Sequence, residues 1–420
     1  MNKKILLDCS LILSNAHFRA VFIARTISLL GLGLLVVALP KQVYEISGDT
    51  LQVGLVLALE GAGLFAGLLL GGVLADRYDR KKLIVLARSI CGLGYATLTV
   101  NALFAQASLS VIYTFSLWNG FFGALGISAL LASMPHIVGR EKLLEARAIS
   151  MLSMRLIGIA APALAGLIIS LGSVAWAYGL TTLGTIITVI SLLHLPSMRP
   201  SRQVDHVQPI TALFDALKYI CNQPLIRSLV IMGALISAST AIRIFFPELV
   251  AQYFSNQAWV LGLFYAAVPA GAACGAFLSG WAQNIKRPGK TMTWVSIAVF
   301  TCVVAFGLTF SLTTAYLWPT LLCLFVFGYL NTIASLLQYT LLQAHTPDHY
   351  LGRVNGLWTA LDAGGDSLAM SGAAILAKIA GTTLSIVSIG TIALAISATI
   401  MSLSSPLRRA CFEPALEAKN

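Results

Sequence analysis

The sequence predicts an all-α membrane protein: twelve transmembrane helices in two six-helix halves, with both termini on the cytoplasmic side. Three observations carry that prediction. Of 420 residues, 58% are hydrophobic and only 10% charged, with a mean hydropathy of +0.85, whereas soluble proteins carry about 25% charged residues. Apolar runs of roughly 20 residues, enough to cross about 30 Å of hydrocarbon, recur along the whole chain. The second half of the chain also repeats the first.

Lipid offers no partner to backbone N–H and C=O groups, and these runs are too long for barrel strands, so each is a helix. The spans fall at 18–40, 51–75, 83–104, 109–135, 147–171 and 174–195, then 225–250, 258–283, 291–311, 316–344, 354–378 and 383–405. Basic residues set the orientation. With the N-terminus inside, Lys41 and Lys378 alone fall outside, while Arg25, Arg155 and Arg243 lie within spans; every other Lys and Arg is cytoplasmic or at that interface. The net charge of +11 is then topology and contact with anionic lipid, and no nucleic-acid partner is expected. The opening "MNKKILLDCSLILS" has Asp8 inside its apolar stretch and no small-residue cleavage site, so it reads as a short interfacial segment. The seven Cys are scattered without disulfide or metal spacing.

The repeat fixes the domain plan. At an offset of 208, Gly54, Gly63, Gly67 and Gly72 meet Gly262, Gly271, Gly275 and Gly280, and Asp76 meets Asn284. Asn119 and Pro135 meet Asn331 and Pro347 at offset 212, and Arg147 and Gly166 meet Arg353 and Gly372 at offset 206. Such small changes of offset are what loop insertions and deletions produce. The plan is therefore an N-terminal six-helix bundle (1–195), a cytoplasmic linker (196–224), a C-terminal six-helix bundle (225–405) and a cytoplasmic tail (406–420). In the linker, Leu213, Phe214, Leu217 and Ile220 share one helical face, which predicts an amphipathic helix along the cytoplasmic surface. Two six-span halves of the same hand are a transporter architecture, with the substrate path between them.

The loop after span 2, "GGVLADRYDRKKL", packs Asp76, Arg77, Asp79, Arg80, Lys81 and Lys82 into seven positions. Asp76 and Arg80 are four apart and can pair across one helical turn. Glycines at 63, 67, 71 and 72 give span 2 a face on which another helix can pack closely. This stretch resembles the loop 2–3 signature of the major facilitator superfamily, and its degenerate second copy, "GWAQNIKRPGK", sits between spans 8 and 9. The segments "FRAVFIARTISLLGLGLL", "LWNGFFGALGISALLA" and "LGRVNGLWTALDAGGD" are similar to the siderophore-exporting branch of that superfamily. The resemblance implies the major facilitator fold in a bacterial inner membrane. It implies export of an enterobactin-like catecholate from cytoplasm to periplasm by alternating access, with hand-off to an outer-membrane efflux channel. For the loop, it implies that Gly72, Asp76, Arg77 and Arg80 form a gate, with span 2 meeting the positive N-terminal end of span 11. The bland alternative is that the basic residues only enforce orientation. Span 5, "RLIGIAAPALAGLI", resembles the superfamily's antiporter motif, although Ala161 and Ala165 stand where glycines are usual.

Charges within the hydrocarbon cost about 2.5–3.5 kcal/mol each on insertion scales, so each needs a reason. Here they are Arg25, Glu60, Arg155, Arg243, Asp362 and Asp366. Asp362 and Asp366 are four apart on one helix, and two nearby carboxylates in low dielectric do not both ionise easily. Either can therefore exchange a proton; Glu60 is the rival site, and a static pair with an arginine is the alternative for all three. Gly364 and Gly365 allow the backbone there to bend. Arg25, Arg155 and Arg243 suit an anionic or catechol-bearing ligand, because a guanidinium offers forked donors and stacks on rings. Asn119 and Asn331, repeat-related, are further substrate-binding candidates, as are the aromatic residues Trp118, Tyr339 and Trp358. Arg88 is close enough to the cytoplasmic face to snorkel.

No GxxxxGK[ST] phosphate loop is present, so ATP drive is not expected. No nucleophile, metal cluster or acid–base dyad points to an enzyme, and no cofactor is expected. The expected partners are a small-molecule substrate, protons and the bilayer. Multidrug efflux on the same fold is the competing reading.

Overall fold

The computed structural model describes residues 10–139, 141–194, 196, 198, 209–311 and 316–412. The chain packs as two compact units, 1–204 with 256–266, and 205–255 with 267–420. The first contains the short α1 (Ser10–Ser14), α2 (Ala16–Ser47), α3 (Thr50–Arg77), α4 (Arg80–Leu103), α5 (Leu109–Val138), α6 (Leu143–Leu171) and α7 (Val174–Leu193). The second contains the linker helix α8 (Pro209–Asn222), α9 (Pro224–Ala238) and α10 (Phe246–Tyr253), most of α11 (Ala258–Phe277), and α12 (Pro288–Leu308). It is completed by α13 (Leu317–Ala344), α14 (Asp348–Ala380), α15 (Thr382–Leu403) and the short α16 (Ser405–Arg409). There is no strand among the described residues.

Eleven stretches among these residues are long and apolar enough to cross a membrane. The twelfth expected span is α14, whose 33 residues make a rod about 50 Å long and which carries the most charge. Large apolar side chains point outward, as at Leu171, Phe277 and Ile379, where lipid replaces the solvent of a soluble protein. Local signals end the helices. Asn15, Asp49 and Asp79 accept hydrogen bonds from the amides of Phe18, Leu51 and Lys81 at 3.0, 2.9 and 3.0 Å, as N-caps do. Gly48 closes α2 at φ 63°, in the left-handed region.

Packing follows the internal repeat. In the first unit a Cβ at Gly63 would run into the carbonyl of Leu117, and one at Gly120 into that of Glu60. In the second, Gly271 meets the carbonyl of Phe325 and Gly328 that of Val268 in the same way. The paired glycines are all 208 apart, so α3 on α5 and α11 on α13 are one crossing built twice; the offset of 212 read from Asn119 and Asn331 is thereby corrected, and those two residues do not hold equivalent places on α5 and α13. The close-packing face expected on span 2 is taken, at Gly63 and Gly67, by α5, where backbones must touch.

The observed boundaries differ from the expected ones in three places. Span 7 is not one helix: α9 stops at Ala238, a 3₁₀ turn runs Ser239–Phe245, and α10 resumes. Ser239 and Thr240 bond back to the carbonyls of Ile236 and Ser237 at 2.6 and 2.8 Å, competing with backbone donors. Pro247 has no N–H to continue the ladder. Span 8 ends at Phe277 and is followed by a 3₁₀ segment, Ser279–Asn284. Residues 256–266 pack with the first unit rather than the second. They are tied there by Lys41, 6% exposed, which pairs with Glu45 at 2.7 Å and donates to Asn256 Oδ1 at 2.8 Å. Asn256 donates to Glu45 at 3.2 Å and sits at φ 55°, a region Asn tolerates. Two other features concern expected behaviour. α14 runs unbroken through Gly364 and Gly365, so the helix does not break there. The linker holds a helix, α8; of the face expected to be apolar, Ile220 is buried and Leu217 exposed, the side chains of Leu213 and Phe214 lie outside the described residues, and Tyr219 stacks on Tyr350 of α14 at 4.4 Å.

Candidate functional site

The broken helix positions the most developed polar site, which lies within the second unit. On the α9–3₁₀ segment, Ser237, Thr240 and Arg243 recur every three residues, which suits one face of a helix with three residues per turn. They converge on Asp366 of α14. Arg243 Nη2 reaches Asp366 Oδ2 at 3.1 Å. The hydroxyls of Ser237 and Thr240 donate to Oδ1 at 3.0 and 3.2 Å. Both carboxylate oxygens are thereby occupied, and the pair remains partly open, with Arg243 40% and Asp366 26% exposed.

Asp366 is in the wall of a cavity of about 370 Å³. α13 contributes a stripe at i, i+4, i+7 and i+8: Asn331, Ser335, Gln338 and Tyr339. α14 adds Trp358, and α9 adds Gly233. Asn331 donates to the Ile236 carbonyl at 3.3 Å and to Ser239 Oγ at 3.4 Å, so it fastens the helix break. Four expected residues, Asn331, Tyr339, Trp358 and Asp366, thus line one cavity, and a fifth, Arg243, reaches it through its pair with Asp366.

The first unit holds a second polar row. Tyr95 Oη donates to Asn119 Oδ1 at 2.9 Å, and Asn119 Nδ2 donates to Glu60 Oε1 at 3.0 Å. Tyr95 and Asn119 are buried, and the row links α4, α5 and α3. Arg25 is half-buried on α2. Arg155 is exposed on α6 and makes no hydrogen bond or ion pair among the described residues. Trp118 is apart from this row: its indole donates to the Ile90 carbonyl at 3.2 Å and lines an apolar groove with Leu93, Thr97 and Phe115. Arg88 is half-buried, with Nε 3.9 Å from where a Cβ on Gly126 would stand, so its stem lies across α5.

The motif after span 2 is only partly within view. Gly72 and Asp76 of the motif, and Asp362 of α14, are placed on their helices, but their surroundings lie outside the described residues. Arg77 is exposed. Arg80 takes a backbone bond from its N–H to the Met198 carbonyl at 3.1 Å. Asp79 caps α4 and also accepts from the Met198 amide at 3.1 Å. It therefore anchors the chain leaving α7, a role signalled only by its place before a helix. The other residues not anticipated are Ser237, Thr240, Ser335, Gln338 and Tyr95.

The model of the Major Facilitator Superfamily matches residues 21–370. The chain belongs to the major facilitator superfamily. It is 45% identical over 372 residues to the enterobactin exporter EntS of Citrobacter koseri, covering 88% of this chain and 87% of the relative. It is 44% identical over 378 residues to the enterobactin exporter EntS of Escherichia coli O1:K1, covering 90% and 88%. Among solved structures, a bacterial homolog of the human lysosomal transporter Spinster superposes with a TM-score of 0.71 at 15% identity, covering 93% of this chain and 97% of that one. A POT family transporter in complex with 5-aminolevulinic acid gives 0.73 at 11%, covering 93% and 96%. These two likenesses are of fold. As a major facilitator protein the chain is a multi-pass transporter of the bacterial inner membrane.

Proposed function

We propose that this transporter exports an enterobactin-like catecholate siderophore from cytoplasm to periplasm by alternating access, in exchange for protons. The observation that carries the substrate class is the 45% identity, over most of both chains, to an enterobactin exporter. The carboxylate cradle supports the coupling. With Asp366 charged, Arg243 is held against it. A substrate entering from the cytoplasm donates a phenolic hydroxyl to the charged Asp366 and sets an anionic oxygen against Arg243. A proton arriving from the periplasm on Asp366 takes that acceptor and weakens the hold, so the substrate leaves on that side, and loss of the proton to the cytoplasm restores the charged site for the next substrate. Glu60, already an acceptor for Asn119, is the second proton site in this scheme, and Arg25 a second cation for the ligand. Asp76, Arg77 and Arg80 are assigned to the cytoplasmic gate, and both termini to the cytoplasm, on the family resemblance and the distribution of basic residues.

The test is deletion of the gene in iron-starved cells. Siderophore in the medium is expected to fall, with its breakdown products rising inside, and the chain supplied from a plasmid should restore secretion. Unchanged secretion accompanied by lost drug resistance would replace this reading with multidrug efflux.

A further inference from the structure

One buried side chain around the second unit's cavity has incomplete hydrogen bonding. Gln338 is 2% exposed. Its amide Nε2 donates to the Leu229 carbonyl at 3.4 Å, while Oε1 finds no donor among the described residues. The bond to Leu229 fixes which way the amide faces, since a flip would set two carbonyl oxygens against each other. Gln338 lines the cavity, so an acceptor with no protein donor among the described residues is in reach of it, and a bound ligand can supply that donor.

The neighbouring residues specify the ligand's shape. A Cβ at Gly233 would strike Trp358 Cη2 and come within 2.8 Å of Gln338 Nε2. Only a glycine lets the indole and the amide meet over the α9 backbone, and together they make a flat wall with one free acceptor in it. Asn331 is tied to the helix break and the hydroxyls of Ser237 and Thr240 to Asp366, while Ser335 and Tyr339, both exposed, add hydroxyls to the lining. At about 370 Å³ the cavity is at the small end of ligand pockets, which run roughly 300–1,000 Å³.

We propose that this cavity takes a single hydroxylated aromatic ring of the substrate, its hydroxyl donating to Gln338 Oε1 and its face lying on Trp358, with Gly233 holding the wall open. Gln338 and Gly233 are then specificity-determining residues for phenolic hydroxyls. The assignment rests on the catecholate reading above and adds how one ring is recognised.

The test uses the full chain in lipid nanodiscs and two probes, 2,3-dihydroxybenzoate and 2,3-dimethoxybenzoate, titrated by calorimetry. Both carry the same carboxylate; the methyl ethers lose the hydroxyl donors and add two methyl groups, and the Gln338→Leu comparison separates the lost donor from the added bulk. The dihydroxy probe is expected to bind about tenfold tighter. Gln338→Leu should bring the two within about threefold of each other, and Gln338→Glu, which keeps an acceptor, should retain the difference. Gly233→Ala should weaken both probes alike by displacing Trp358. Equal binding of the probes to the unaltered protein, or discrimination surviving in Gln338→Leu, would overturn the assignment. Siderophore export by the same preparation in vesicles separates the two layers: export that persists despite such a result leaves the catecholate reading standing. Absence of export from the unaltered protein would remove that reading and this one together.

Discussion

Asp366 shows how a charge is kept inside a membrane and made useful. Its carboxylate accepts from Ser237 and Thr240 and pairs with Arg243. Asp366→Asn should leave substrate exchange within about threefold of the original while reducing gradient-driven accumulation at least tenfold, measured by counterflow against pH-jump uptake in vesicles. Arg243→Lys keeps the charge but loses the fork, so it should weaken substrate binding by about tenfold. A calorimetric titration with the catecholate reads that directly. Asp366 and Arg243 were legible in the sequence because a charge at mid-span is rare. Ser237 and Thr240 were not, because hydroxyls are common in these helices and most bond to their own backbone, as Thr185 and Ser296 do to the carbonyls four residues earlier. Nothing in residue type separates a hydroxyl serving a site from one serving its own helix; only the three-residue spacing to Arg243 did, and it needs the 3₁₀ geometry to be read.

Among the helices, length and hydropathy located nearly every span, since lipid leaves the backbone no alternative to a helix. The break in span 7 escaped that reading because the apolar residues around it outweigh Ser239, Thr240 and Arg243, and hydropathy does not register a lost ladder bond; Pro247 was the available sign. The repeat-related glycines were legible as a close-packing face, but not the partner they carry. Gly120→Ala should destabilise the α3–α5 crossing by about 1–3 kcal/mol, read as a lowered unfolding temperature in detergent. Gly328→Ala should do the same in the second unit, since the crossing is repeated there. Asp79→Ala removes both a cap and the bond to the Met198 amide, and an added loss of about 0.5–2 kcal/mol is expected by the same assay.

At the scale of the whole chain, the distribution of Lys and Arg predicts basic residues at the cytoplasmic face and a few ionisable groups at depth. Cysteine labelling from either side of the membrane should find positions 16 and 405 reactive only from the cytoplasm, as the distribution of Lys and Arg requires. The charge knot after span 2 was legible as a motif, but what a motif does depends on the residues across from it, which no spacing supplies. The superfamily match over 21–370 and the 44–45% relatives settle the fold, and the proposed chemistry of transport rests on Asp366. The most direct measurement is siderophore uptake into proteoliposomes whose accessible face is cytoplasmic and whose lumen is acidified. The account predicts accumulation that collapses with a protonophore and is absent in Asp366→Asn. Accumulation that ignores the gradient, or survives that substitution unchanged, would contradict it.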